Sequence, residues 1–364
     1  MIILVYASNY NKDNTYHDVL MSMCGKRAQQ LAASSIMLTC YGVCVAFLII
    51  IGDQFDRIAI TLFDQCHWFI DRRFTIAITA IVLILPMCYF QRLDFLRYAG
   101  VLGVFAMLYV VFINVYEYIK LRPENVVVRT SPEKPITFFA IIPVFTFAYQ
   151  CHEIVIPVYS CMADRTIKSF CKSTALALSL LFALYCMAGT TGYLTFGVKI
   201  APDIMQSYDS NDPVVLVGVV ALIVKMITTY PSMIFCGRGA LDGLYAEFAR
   251  LSAEQFITGE KKRRIIITTV WFTTTLVLAI LTPNIGVVIE FLGSLASANV
   301  FVFPSLCLIA IARREQKLKR WIKNAFITIA IILIMAGALT FCIVLYQIYF
   351  ELKANAEPTH SVLC

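Results

Sequence analysis

The chain has 364 residues, of which 60% are hydrophobic and only 15% are charged, and its mean hydropathy is +0.77. A soluble domain of this size needs far more polar surface, and the apolar residues are gathered into long runs, so the sequence indicates a polytopic membrane protein. The net charge of +7 does not favour nucleic-acid binding, because the basic residues form short clusters between the apolar runs.

Nine apolar runs follow one another along the chain, and each is long enough to cross a bilayer as a helix. No low-complexity linker divides them, so the sequence predicts an all-α membrane protein with a single domain over residues 1–364. Met1–Ala7 has the composition expected of the end of a further span. The nine predicted spans lie at about 30–52, 74–90, 98–118, 136–160, 174–196, 213–236, 265–283, 285–311 and 323–349.

The distribution of Lys and Arg predicts the orientation in the membrane. Of the 30 basic residues, 20 fall in one alternate set of loops and nine in the other set, which includes the C-terminal tail. Because short loops rich in Lys and Arg stay in the cytosol, the first set is predicted to be cytoplasmic and the C-terminus extracellular or lumenal. The basic set comprises loops 8–29, 91–97, 161–173, 237–264 and 312–323.

The stretch Phe145–Ser160 carries polar residues and a proline in the middle of an apolar run, with the sequence QCHE at 150–153. Polar side chains at this depth are costly and mostly face a cavity or a pathway. Pro157 also deprives the carbonyl of Glu153 of its helical partner. The pattern predicts a helix broken at a binding site near the membrane midplane; the alternative is a kinked packing helix whose polar atoms bond to neighbouring helices. One helical face carries Phe145, Tyr149, His152, Ile156 and Tyr159.

The stretch Val224–Ser232 combines oxygen ligands with a second proline inside a span. Pro231 frees the carbonyl of Ile227, and Thr228 and Thr229 place hydroxyl groups in the same turn. Carbonyl and hydroxyl oxygens suit a hard cation such as sodium. The alternative is that each threonine hydroxyl bonds to the carbonyl one turn back, which is common in membrane helices.

Lys225 is the one basic residue inside a predicted span. An ammonium without compensation at this depth costs about 3 kcal/mol or more, and Lys225 lies on the same helical face as Thr229, four residues later. Three interpretations stay open. In the first, the ammonium replaces the sodium ion. In the second, it pairs with an intramembrane acid, for which Glu290 is the first candidate and Glu153 the second. In the third, it faces a watery vestibule.

No catalytic or metal-binding pattern accompanies these stretches. The 13 cysteines show no CxxC or metal-type spacing, so neither a disulfide framework nor a zinc site is expected. Cys151 and His152 are adjacent, and neighbouring helical residues point about 100° apart, which does not suit a nucleophile and its base. The sequence therefore predicts that the protein is not an enzyme and needs no cofactor.

Small residues predict close helix packing in two places. The stretch 189–197, GTTGYLTFG, ends one span. The stretch 287–309 contains five small residues that allow helices to approach closely: Gly293, Ser294, Ala296, Ser297 and Ala298.

Four segments follow one another along the chain: FAYQCHEIVIPVY (147–159), GYLTFG (192–197), TTYP with FCGR (228–238) and IEFLGSLASANVFVFPSLCLI (289–309). In this order they resemble the sodium-coupled neutral amino-acid transporters of the amino-acid/auxin permease superfamily, with the closest likeness to the lysosomal and neuronal glutamine-type branch. The resemblance covers nearly the whole chain. It implies the leucine-transporter-like five-plus-five inverted-repeat helix bundle with an eleventh helix, and alternating access.

Under this resemblance, the nine spans correspond to family helices 3 to 11. Residues 30–118 then hold the rest of the first repeat, 136–311 the second repeat and 323–349 the extra C-terminal helix. Family helix 1 and most of helix 2 are expected to be missing, with residues 1–7 as the remnant of helix 2.

The resulting functional prediction is secondary active transport of a small neutral, glutamine-like amino acid, coupled to sodium or protons, across the plasma or lysosomal membrane. The resemblance places the substrate beside Tyr149, Gln150 and His152. It places sodium beside Thr229, with Thr228 and the carbonyl of Ile227 next to it. The alternative is a non-transporting amino-acid sensor or partner subunit, which the missing helix 1 favours. The expected partners are the amino acid, the coupling ion and the lipid bilayer.

Overall fold

The structure, a computed structural model, describes residues 1–62, 72–89, 96–121, 126–131, 141–201, 203–209, 211–250, 252–282, 285–316 and 318–355. These ranges are helical apart from short connections, and no strand occurs in them, which confirms the predicted all-α class.

Fifteen α-helices are seen in these ranges. The first eight are α1 Ile2–Asn11, α2 Tyr16–Cys24, α3 Lys26–Leu62, α4 Arg72–Thr79, α5 Leu85–Cys88, α6 Leu96–Leu121, α7 Ile142–Ala148 and α8 His152–Ser160. The remaining seven are α9 Ile167–Phe196, α10 Pro213–Phe248, α11 Ala253–Thr258, α12 Glu260–Leu281, α13 Ile285–Ser297, α14 Phe303–Arg314 and α15 Arg320–Asn355. Two π-helical segments, Ala80–Ile84 and Ala298–Val302, lead directly into α5 and α14.

Polar capping residues fix several helix starts in the connections. The Thr15 hydroxyl accepts from the Asp18 amide at the start of α2, and Thr166 does the same for Ser169 at the start of α9. Ser252 forms a capping box at the start of α11. Each cap satisfies an amide that would otherwise lack an intrahelical partner.

Seven helical stretches are long and apolar enough to cross a membrane among the described residues: Lys26–Ile58, Gly100–Leu121, Ile167–Lys199, Pro213–Ala246, Glu260–Leu281, Val288–Arg314 and Arg320–Gln347. They correspond to seven of the nine predicted spans. The predicted span 74–90 is instead helical in pieces, as α4, a π-helical segment and α5. The predicted span 136–160 begins outside the described residues and then divides into α7 and α8. The number of nine complete spans therefore stays a prediction.

The core is centred on the two longest interior helices, α3 and α10, which pack along each other. Helix α10 also packs on α6, while α13 packs on α3, α7 and α15. Small residues allow these approaches, because a Cβ atom on Gly42 of α3 would come 2.8 Å from the Leu292 side chain of α13. Fully buried side chains of this core include Leu48, Ile49, Ile51, Ile113, Met205 and Tyr230.

Several of the described connections meet at one or the other end of the bundle. At one end, the Arg165 guanidinium donates to the Asp13 carbonyl at 3.3 Å, and Arg314 donates to the Met23 carbonyl at 3.3 Å. These bonds join three of the five predicted basic loops, 8–29, 161–173 and 312–323. The grouping agrees with the alternation of loops that the spans predict.

The other end is closed by polar contacts onto the connection between α9 and α10. Gln54 donates to Asp203 at 2.7 Å, and Arg57 donates to the Tyr208 carbonyl at 3.0 Å. Lys120 forms an ion pair with Asp212. Burial raises the pKa of the Asp203 carboxyl, whereas the hydrogen bond from Lys120 lowers the pKa of Asp212.

Candidate functional site

The helix that contains the QCHE sequence is interrupted. Helix α7 ends at Ala148 and α8 begins at His152, and Tyr149, Gln150 and Cys151 between them are not helical. The Tyr149 amide donates back to the Phe145 carbonyl at 3.1 Å, which closes α7. A break inside an apolar run, which the sequence predicts, is therefore present.

The break does not lie where proline chemistry alone would put it. Pro157 lies within α8, which continues to Ser160, and Pro143 lies in the first turn of α7, where a missing amide costs little. A tyrosine from α9 supports the break instead, because the Tyr185 hydroxyl donates to the Ala148 carbonyl at 3.1 Å. In hydrocarbon such a carbonyl needs a partner, and Tyr185 provides one.

A cavity of about 360 Å³ opens beside the break, which is within the usual range for small-molecule sites. Tyr149 and His152 line it, as do Phe145 and Thr146 of α7. The Tyr149 ring is held edge-on against the Tyr185 ring, with the centroids 5.4 Å apart. His152 is 7% exposed, and its Nδ1 atom has no hydrogen-bond partner among the residues described.

Gln150 is oriented differently from the other two predicted substrate residues. It does not line the cavity. Its Nε2 atom donates to a Glu153 carboxylate oxygen. This hydrogen bond between Gln150 and Glu153 links the turn before α8 to the first turn of that helix. The structure thus brings Tyr149 and His152 together at one cavity and leaves Gln150 outside its wall.

Sequence reasoning missed the far wall of the cavity. Val300 and Phe301, from the π-helical segment before α14, and Leu178 of α9 form it. Ser35 of α3 holds this segment by donating to the buried Asn299 amide oxygen at 3.0 Å. Pro304 was the available signal, because its missing amide disturbs α-helical bonding in the turn before it, and π-helical turns are frequent at functional sites.

The predicted close packing of α13 is confirmed, and it positions α7. A Cβ atom on Gly293 would lie 2.7 Å from both the Cβ atom and the carbonyl oxygen of Pro143. Only glycine permits this approach. The contact fixes the start of α7 and, through it, the cavity wall that Phe145 and Tyr149 form.

The candidate sodium residues lie on α10, which runs continuously through Pro231. The Thr229 hydroxyl donates to the Lys225 carbonyl at 2.7 Å, and the Thr228 hydroxyl donates to the Val224 and Lys225 carbonyls at 2.9 and 3.0 Å. This is the bonding of the alternative interpretation. The hydroxyl oxygens keep lone pairs that can bind a cation. The Ile227 carbonyl receives no helical hydrogen bond, because Pro231 has no amide hydrogen to donate.

Lys225 lies half-buried on α10 against α6, where its Cγ atom is 3.3 Å from the Cβ position of Gly103. Glu290 lies on α13, whose main helix contacts are with α3, α7 and α15. In the described part of the chain, no carboxylate forms an ion pair with Lys225. The structure therefore does not bring the proposed partners Lys225 and Glu290 together.

Comparison with known proteins identifies the family. The model of a family described as "Transmembrane amino acid transporter protein" matches residues 1–350. The chain belongs to this family. It is 34% identical to "Sodium-coupled neutral amino acid transporter 7" from Mus musculus over 352 residues, which is 94% of this chain and 76% of that protein. The protein of the same name from Homo sapiens is also 34% identical, over 351 residues, with the same two shares covered.

A more distant relative extends the match. "Solute carrier family 38 member 8" from Homo sapiens is 28% identical over 321 residues, which is 85% of this chain and 74% of that protein. The resemblance read from the sequence motifs is thereby confirmed. The protein is an integral membrane amino acid transporter, and the prediction that it is not an enzyme is confirmed by its family.

Proposed function

We propose that the protein carries a small neutral, glutamine-like amino acid across the membrane by sodium-driven alternating access. The observation that carries the proposal is the helix broken between Ala148 and His152 beside a cavity of about 360 Å³. Relatives named as sodium-coupled neutral amino acid transporters support the ion and the substrate class.

The broken helix supplies the chemistry that a zwitterion needs. The first turn of α8 presents backbone N–H groups and the positive end of a helix dipole, which attract a carboxylate. Tyr149 and His152 add polar side chains to a wall that is otherwise apolar, with Phe145, Val300 and Phe301. A few polar groups in an apolar wall fix the orientation of a ligand.

Sodium binding is assigned to the Thr229 turn of α10, with the hydroxyl of Thr228 and the carbonyl of Ile227 as further oxygens. A proton gradient is the alternative driving force.

The inverted repeat is supported by α3 and α10, which would be corresponding helices of the two repeats. They have similar lengths, 37 and 36 residues, and they pack along each other. The basic end is assigned to the cytosol.

Uptake of radiolabelled glutamine into proteoliposomes that contain the full protein tests the function. An imposed sodium gradient should drive accumulation. His152→Ala should raise the KM for glutamine, whereas Ile154→Ala, exposed on the same helix and outside the cavity, should not. Equal effects of the two variants on the KM would show that the cavity does not bind the substrate. Accumulation driven only by a proton gradient would refute sodium coupling.

The sodium residues have a matched control. Thr229→Ala should raise the half-saturating sodium concentration, with less effect on the KM for glutamine at saturating sodium. Thr191 of α9 makes the same bond to the carbonyl one turn back, at 2.8 Å, so Thr191→Ala removes a similar hydroxyl elsewhere. If both variants leave the sodium dependence unchanged, Thr229 does not bind the ion.

A further inference from the structure

A carboxylate without a basic partner lies at the break between α7 and α8. Glu153 is half-buried and is the acidic residue in the first turn of α8. In the described part of the chain, no basic side chain forms an ion pair with it. Charged side chains without a partner are costly inside a membrane protein and mark functional sites. The residues assigned to substrate and sodium above leave Glu153 without a role.

The Glu153 side chain is fixed over the break. Its carboxylate accepts hydrogen bonds from the Gln150 Nε2 atom and from its own backbone amide. Both partners are N–H donors, which stabilise the ionised carboxylate against the cost of burial. The N-terminal end of the α8 dipole also favours a negative charge. A negative charge is therefore held at the start of α8.

This charge faces the interior of the bundle and adjoins the candidate substrate cavity. It acts electrostatically on Cys40 of α3 and Cys236 of α10, the two helices at the centre of the core. Glu153 itself does not line the cavity, but it directly follows His152, which does. A substrate in the cavity would thus lie beside the residue that precedes this carboxylate.

We propose that Glu153 determines substrate selectivity, because its negative charge excludes amino acids with an acidic side chain and admits neutral ones. This role rests on the proposed transport function and defines the charge that the substrate can carry. A free amino acid has an ammonium and a carboxylate group on its α-carbon, and these two charges cancel. Only the side chain then adds net charge, and glutamate differs from glutamine in charge while matching it closely in shape.

The expected discrimination follows from Coulomb's law. Two like charges about 7 Å apart, a little more than the spacing of neighbouring positions on a helix, repel enough at an effective dielectric constant of about 20 to weaken binding about fiftyfold. The described cavity wall contains no Lys or Arg side chain that would offset this repulsion, and much of it is apolar, with Phe145, Val300 and Phe301.

The test measures binding of tritiated glutamine and tritiated glutamate to the purified full protein in detergent. The wild type should bind glutamate about fiftyfold more weakly than glutamine. Glu153→Gln removes the charge and keeps the size of the side chain, so the two dissociation constants should then agree within about threefold. Glu153→Asp keeps the charge and should still exclude glutamate.

Two further variants separate charge from structure. Glu254 is also an acidic residue in the first turn of a helix, α11, but it is exposed and does not line the cavity, so Glu254→Gln should leave the ratio of the dissociation constants unchanged. Gln150→Lys places an ammonium group beside Glu153 and should admit glutamate. This second neutralising variant keeps the test decisive if Glu153→Gln does not fold.

Exclusion of glutamate by either neutralising variant, once its melting temperature shows that it is folded, would overturn the proposal. Equal binding of the two amino acids by the wild type would also overturn it, as would admission of glutamate by Glu153→Asp or Glu254→Gln. Uptake of glutamine into proteoliposomes is measured separately. A shifted binding ratio without any uptake would refute transport and retain the selectivity residue, whereas uptake with an unshifted ratio would do the reverse.

Discussion

Replacing Gly293 by alanine tests whether the contact between α7 and α13 holds the candidate substrate cavity in place. The added Cβ atom would lie 2.7 Å from the Pro143 carbonyl oxygen and 2.8 Å from its carbonyl carbon, whereas ordinary van der Waals contact begins at 3.4 Å. The helices would have to separate by about 0.7 Å, and the clashing atoms belong to backbone and a proline ring, which cannot rotate away.

The expected cost follows from overpacking of a tight contact, which is about 1–3 kcal/mol. Alanine also favours a helix over glycine by about 1 kcal/mol, so the net loss is smaller than the clash itself. Gly189 of α9 separates the two effects, because a Cβ atom there would meet nothing within 4 Å. Gly189→Ala should therefore be neutral or stabilising.

The assay is thermal unfolding of both variants in the same detergent, followed by uptake of labelled glutamine. The Gly293 variant should melt a few °C below the Gly189 variant for each kcal/mol of clash. Its KM for glutamine should also rise, because a shift of α7 moves Phe145 and Tyr149 at the cavity wall. If the two variants melt together within 1 °C and transport alike, the close contact does not control the cavity.

Three further predictions concern the break, the polar end and the orientation. Tyr185→Phe should destabilise the fold by about 1–3 kcal/mol in denaturation experiments, because it leaves the terminal carbonyl of α7 without its hydrogen bond. Because Lys120 lowers the pKa of Asp212, their pair should stabilise the fold above about pH 4 and lose this effect as the pH falls through the lowered pKa; the difference in melting temperature between wild type and Lys120→Gln should shrink accordingly. A glycosylation sequon engineered within 126–131 should be modified in cells and one near Gly259 should not, and the reverse pattern would contradict the assigned orientation.

The sequence was sufficient to predict the break in the helix, because membrane segments seldom contain polar residues without a reason. The QCHE sequence marked the break, and helical spacing placed Phe145, Tyr149 and His152 on one face, where all three line the cavity. The orientation of the Gln150 side chain could not be predicted from the sequence, since its bond to Glu153 depends on the non-helical turn between α7 and α8. The wall formed by Val300 and Phe301 depends on how α13 and α14 pack, which spacing along the chain does not encode.

The prolines, unlike the QCHE sequence, did not indicate where the helix breaks. Pro157 and Pro231 lie inside continuous helices, and Pro86 and Pro304 follow π-helical segments that absorb the missing amide. The interruption instead occurs after Ala148, where the Tyr185 hydroxyl of α9 donates a hydrogen bond to the freed Ala148 carbonyl. In an apolar environment a backbone can leave the helix only where such a partner is available. The position of the break is thus a property of the contact between α7 and α9, which forms only when the bundle is packed.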